Sequence, residues 1–170
     1  TLRRQRQMCI RDRFKVDLRN VTNERVFVFS CNNVHNFEIA NFHIYDRNTI
    51  FQSVSLFHAI YENAYYVPNK GLVKNGHAEN AHYGYGTVQI QAGENILFKD
   101  LSGKGGVTLR VETGWEVMNK IPEPFTPKVK NIYGRNINCT NGQAAVLLQP
   151  HTINQGYVDI RNITGISCEY

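Results

Sequence analysis

Gln89, Arg110, Glu112, Gln149 and His151 are the side chains of this sequence best placed for chemistry, because each stands at a polar position of a short alternating run. The runs are Thr87-Val88-Gln89-Ile90-Gln91, Val107-Thr108-Leu109-Arg110-Val111-Glu112 and Ala145-Val146-Leu147-Leu148-Gln149-Pro150-His151. Period-two alternation sends successive side chains to opposite faces of a strand. Val88, Ile90, Val107, Leu109, Val111, Val146 and Leu148 then point inward, while Gln89, Gln91, Thr108, Arg110, Glu112, Gln149 and His151 point outward. Laid side by side at about 4.8 Å, the three runs make an exposed patch of Gln, Arg, Glu and His that suits a sugar. A carboxyl there can transfer a proton, and a forked guanidinium can bind a sulfate ester or pair with Glu112. A histidine with an ordinary pKa of about 6.5 can serve as a base near neutrality. The bland alternative is a solvated glutamate, glutamine and arginine on a strand, with His151 solvated in a loop after Pro150. The segment HAENAHYGYG, residues 77–86, adds Tyr83 and Tyr85. Their rings could wall a cleft by stacking on sugars, or the segment could be a loop folded over the core. His77, Glu79 and His82 lack the helical zinc spacing, so neither a metal site nor a cofactor is expected there.

The elements that must position these residues show themselves as a repeat. The pattern apolar, any, apolar, any, Asn or Asp, apolar recurs at Val16–Val21, Phe37–Phe42, Ile96–Leu101, Ile132–Ile137 and Val158–Ile163, with a weaker copy around Val73-Lys74-Asn75. Its markers at 20, 41, 75, 100, 136 and 162 are 21, 34, 25, 36 and 26 residues apart. Asn and Asp tolerate bent backbone and bond to neighbouring backbone groups, so they suit corners between strands, and stacked corners would let them bond along an axis. No such coil can bury its apolar side alone. The expected fold is all-β, a right-handed parallel β-helix or solenoid, incomplete at both ends. The two long intervals read as a basic coil carrying an inserted loop of about ten residues, a usual seat for binding groups. A β-sandwich is the competing architecture, but tight-turn dipeptides of the Asn-Gly kind occur only at Asn75-Gly76 and Asn141-Gly142. Ser102-Gly103-Lys104-Gly105-Gly106 lacks the phosphate-loop spacing and reads as a turn between coil strands.

Charge must be read with the first residues set aside. Thr1 to Arg13, TLRRQRQMCIRDR, resembles translated sequencing-adapter read-through, which leaves residues 14–170 as one partial β-helix domain. Removing its five arginines and one aspartate from the chain's 19 basic and 14 acidic residues reduces the net charge from +5 to +1. The basic pI therefore does not point to nucleic acid. No apolar run is long enough to cross a bilayer as a helix. Apart from Cys9, the cysteines are Cys31, Cys139 and Cys168, expected as buried thiols, with one disulfide between neighbouring coils as the alternative.

With those residues in view, a family resemblance can be stated. The stretch GHAENAHYGYGTVQIQAGENILFKDLSGKGGVTLRVE, residues 76–112, resembles the central coils of iota-carrageenases, and NIYGRNINCTNGQAAVLLQPH, residues 131–151, is similar to the coil that follows there. The likeness covers residues 70–170 and is most specific in GGVTLRVET and in the 23-residue step from Gln89 to Glu112. It implies a secreted protein, extracellular or periplasmic, that acts as a monomer on an anionic polysaccharide. The activity implied is that of an endo-acting glycoside hydrolase cleaving sulfated galactan with inversion. It implies Glu112 as the proton donor, Gln89 as the motif glutamine and His151 as the active-site histidine; the strand pattern and the aromatic segment add Arg110, Gln91, Gln149, Tyr83 and Tyr85 as expected substrate contacts. The family's second carboxylate, an aspartate two residues after the acid, would fall at 114, where this chain has Gly114. Side chains at i and i+2 of a strand are about 6.6 Å apart. An acid and base flanking a water need about 6.5–9.5 Å. With no carboxylate at 114, Glu116, His151 or a residue elsewhere must supply the base, or the family substrate is no longer hydrolysed. A polysaccharide lyase or pectin-type hydrolase on the same architecture and a non-catalytic carbohydrate-binding β-helix stay open as alternatives.

Overall fold

The computed structural model describes residues 14–22, 27–45, 53–79, 85–112, 129–149 and 157–166. Within them the chain forms thirteen strands and no helix: β1 (Phe14–Asp17), β2 (Phe29–Cys31), β3 (His35–Tyr45), β4 (Val54–Leu56), β5 (Ala59–Tyr61), β6 (Ala64–Tyr66), β7 (Asn69–Glu79), β8 (Gly86–Ile90), β9 (Gly93–Lys104), β10 (Val107–Glu112), β11 (Val129–Thr140), β12 (Ala144–Gln149) and β13 (Val158–Ile166). Six of them pair in the order β1-β3-β7-β9-β11-β13 and five in the order β12-β10-β8-β4-β2. All of these pairings are parallel. Apart from β1 and the β5–β6 hairpin, the chain alternates between the two sheets, one short strand and then one long strand per coil. This is a right-handed parallel β-helix.

Asparagine turns the corners. Asn41, Asn75, Asp100, Asn136 and Asn162 adopt φ of 51–59°, and Asn36, Lys70, Asn95 and Asn131 adopt φ of 53–57°. Each set occupies equivalent register positions on successive long strands, so two stacks of left-handed residues bend the long sheet twice. Asn and Asp reach this conformation more readily than other side-chain-bearing residues, because a short polar side chain can bond locally. In the first stack, Nδ2 of the later coil donates to Oδ1 of the earlier one: Asn75 to Asn41 (3.1 Å), Asn136 to Asp100 (2.7 Å) and Asn162 to Asn136 (3.1 Å). The step from Asp100 back to Asn75 cannot be made this way, since a carboxylate only accepts. In the second stack Asn131 donates to Asn95 and Asn95 to Asn69 (2.8 and 3.0 Å). There Lys70 takes the bent backbone position while its neighbour Asn69 supplies the amide.

One copy of the repeat does not join the ladder. Val16 pairs with Ile44, not Phe37, so Asn20 is out of register with Asn41, and the 21-residue interval is not a coil length. The weak copy at Asn75 is in register. The 34-residue interval from Asn41 to Asn75 holds the antiparallel β5–β6 hairpin. Its turn is Glu62-Asn63, with φ of 47° and 59° at both residues. The 36-residue interval holds residues 113–128, which lie outside the described part. Gly105 and Gly106, at φ of 81° and 61°, make the turn from β9 to β10.

The core is a column between the sheets, with Phe42, Ile44, Val54, Leu56, Ile90, Ile96, Phe98, Leu101, Leu109, Ile132 and Ile137 all fully buried. Cys139 is buried, its thiol directed at the Gly106 carbonyl at 4.0 Å, and burial pushes the Cys31 thiol up from its ordinary pKa. Cys168 is outside the described residues.

Candidate active site

The short-strand sheet carries the predicted cluster. Its register sets Ser55, Gln89, Arg110 and Leu147 in one row across β4, β8, β10 and β12, and sets Glu112 beside Gln149 in the next. Arg110 and Glu112, two apart on β10, project to the same side. Gln89 Nε2 donates to Glu112 Oε2 at 2.6 Å, Arg110 Nε lies 2.8 Å from the same oxygen, and Arg110 donates from its terminal nitrogen to Gln149 Oε1 at 2.7 Å. The guanidinium sits 5.5 Å from the centre of the Tyr85 ring. Three consecutive coils are thus linked through the Glu112 carboxylate and the Arg110 guanidinium.

The outer face of this sheet differs from the open patch expected. Gln89 is 4% exposed and Glu112 6%. Gln89, Glu112, Arg110 and Gln149 bond to one another instead of water, while the buried Ser55 hydroxyl in the same row has no hydrogen-bond partner among the described residues. Thr108 was expected outside but is fully buried, its hydroxyl donating to the Asn138 carbonyl on the long sheet at 2.7 Å. That bond ties β10 to β11 and removes Thr108 from the outward set. Leu148 shares the inward row of buried Val111 and Ile90, as expected, yet is 54% exposed. It pairs with Val111 on β12, the last strand of the sheet among the described residues, so it lacks a following coil to cover it. Gln91 is half-buried just past β8, its backbone N–H donating to Leu56 O (2.9 Å). Among the described residues no hydrogen bond brings its side chain into the cluster. Tyr83, His151, Gly114 and Glu116 lie outside the described residues.

Two features of the site escaped the sequence pattern. Ser55, fully buried, is the register neighbour of Gln89. The triplet Val54-Ser55-Leu56 has the same apolar–polar–apolar form as Val88-Gln89-Ile90, and that form was the available signal. The Arg110–Gln149 bond spans 39 residues and needed the β10–β12 register to be visible.

Chemically, the cluster offers one carboxyl for proton transfer, and among the described residues Glu112 is the only carboxylate on the strands of this sheet. Beside it the structure supplies an amide donor and a forked cation able to engage an anionic ester.

Comparison with known proteins finds close relatives of limited overlap. The chain is 41% identical over 159 residues to an iota-carrageenase of Zobellia galactanivorans and 33% identical over 155 residues to one of Alteromonas macleodii. These matches cover 93% and 91% of this chain but 31% of each relative, so the chain spans about a third of their length. Among solved structures, a 1,3-α-1,4-β-D-galactose-4-sulfate-3,6-anhydro-D-galactose-2-sulfate 4 galactohydrolase superposes with a TM-score of 0.87 at 32% identity, covering 94% of this chain and 36% of that one. An iota-carrageenase complexed to iota-carrageenan fragments superposes with a TM-score of 0.85 at 31% identity, over 92% of this chain and 34% of that one. No family model matches the sequence.

Proposed function

Because the chain belongs by sequence and fold with the iota-carrageenases, we propose that it is part of an extracellular, endo-acting glycoside hydrolase whose substrate is a sulfated galactan of the iota-carrageenan type. Glu112 is the general acid. The observation that carries this reading is a bonded cluster across three coils, in which Gln89 and Arg110 hold the Glu112 carboxylate and Gln149 holds Arg110. In the resting site Glu112 is held by Gln89 and Arg110. A sulfate ester entering the cleft competes for Arg110, so the carboxyl loses a cation partner just when it must carry a proton to the leaving oxygen. Gln89 keeps the carboxyl oriented, and Gln149 fixes the guanidinium fork.

Inversion requires a base that activates water on the opposite side of the sugar ring. Gly114 offers none. His151, two residues beyond the Gln149 that pairs with Glu112, takes this role in our reading, with Glu116 as the alternative. Tyr83, Tyr85 and Gln91 complete the sugar contacts.

The test is release of reducing ends from iota-carrageenan by the intact protein. Glu112→Gln should lower it by about 10²–10⁴-fold while polymer binding survives. His151→Ala and Glu116→Ala, compared for loss of turnover, identify the base. Binding with no cleavage by the unmutated protein, unchanged by Glu112→Gln, would mean a carbohydrate-binding β-helix. Products with an ultraviolet-absorbing unsaturated end would mean a lyase.

A further inference from the structure

On the outer face of the long sheet, remote in sequence from the Glu112 cluster, three ligand-type side chains meet. Register sets His43 of β3 beside His77 of β7, and Tyr45 beside Glu79. His77 and Glu79, two apart on one strand, project to the same side as His43. His43 Nε2 donates to Glu79 Oε1 at 3.0 Å, and His77 Nε2 lies 3.6 Å from that same oxygen. One donor atom from each of the three residues falls within 4.8 Å of the others, and all three side chains are half-buried.

Two further contacts hold the rings in place. His77 Nδ1 is hydrogen-bonded to Ser102 Oγ at 2.7 Å. When Nδ1–H is the donor, Nε2 presents its lone pair toward Glu79, the outer-shell arrangement found behind metal-bound imidazoles. His43 stacks on Tyr45 (4.2 Å, 20°) and meets the edge of His77 (4.7 Å, 70°). Arg19, over the Tyr45 ring, is already paired with Asp17.

We propose that His43, His77 and Glu79 form a divalent transition-metal site, taking Zn²⁺ with water in the fourth position, that staples β3 to β7. Zinc bonds of about 2.0–2.1 Å in a tetrahedron keep donor atoms about 3.3 Å apart. The two nitrogen-to-carboxylate separations, 3.0 and 3.6 Å, are within a few tenths of an ångström of that, and the donor atoms all lie within 4.8 Å of one another. Two imidazoles and one carboxylate favour zinc over calcium or magnesium, which take all-oxygen shells. A linear zinc motif was not expected from His77, Glu79 and His82, and this site is not linear. Its third ligand comes from the preceding coil, 34 residues before His77.

The experiment is metal titration of the intact, EDTA-treated protein. One Zn²⁺ per chain should bind, and Co²⁺ in its place should give the visible absorption of a tetrahedral site. With free zinc about 100-fold above Kd, the folded-to-unfolded ratio should rise about 100-fold. The melting temperature should then rise by about 5–10 °C, reversibly with EDTA. His43→Gln and Glu79→Gln should each abolish the cobalt bands and the zinc-dependent shift, while Ser102→Ala weakens binding by about 10-fold. Failure of both ions to bind, an equal thermal shift with Ca²⁺, or zinc binding that survives His43→Gln and Glu79→Gln would overturn the site.

Discussion

Along β9 burial rises and falls nearly residue by residue, while β8 is buried from end to end and β10 has only Arg110 partly open. Both sheets carry the same alternating pattern in sequence. In the long sheet the outer face is wet, so its polar residues pair loosely at the surface, as Lys74 and Glu38 do at 2.9 Å with the glutamate side chain about half exposed. In the short sheet the outer face is withdrawn from water, so Gln89, Arg110 and Glu112 must satisfy one another. The lesson is that polarity at an outward position says nothing about exposure. Burying polar groups is costly unless they bond to one another, and a bonded buried cluster is where functional groups can be held rigid.

Removing one partner from each sheet gives the sharpest contrast. Glu112→Ala should cost about 3–5 kcal/mol, because it leaves a mostly buried guanidinium without its carboxylate. Glu38→Ala, at an exposed pair, should change stability by less than about 0.5 kcal/mol in the same urea titration. Equal losses would mean that the two faces do not differ as described. Next in size, Asn136→Ala should cost about 1–2 kcal/mol, since it loses the ladder bonds and keeps a left-handed backbone that alanine disfavours. Asn136→Gly should cost less, as only the bonds go. Asp100→Asn supplies the missing donor in the ladder and should add about 0.5–1 kcal/mol, read as a higher denaturation midpoint.

The smallest effect is a titration. Arg19 hydrogen-bonds the Asp17 carboxylate and lowers its pKa from 3.8 to about 2. Because the folded value is depressed, the stabilising contribution is complete above pH of about 4 and disappears as pH falls toward 2. Carbon-13 NMR of Asp17 should show this midpoint, and Arg19→Ala should return it toward 3.8. An unmoved midpoint would show that the pair is not formed in solution.

The sequence by itself determined the coil. Period-two alternation and asparagines recurring at 25–26 residues, or at 34–36 with an insertion, leave little besides a solenoid, because only stacking buries the apolar side and only Asn, Asp or Gly turns such corners cheaply. It also placed Gln89, Arg110, Glu112 and Gln149 on one sheet. Register was decided by the tertiary structure. Pattern alone put Asn20 in the ladder and Thr108 outside. Pairing Val16 with Ile44 and bonding Thr108 to Asn138 reversed both. The meeting of His43 with His77 and Glu79 likewise depends on which residue of one coil rests on which residue of the next. A repeat fixes each coil's shape, but the lateral pairing between coils is a long-range property that no local spacing encodes.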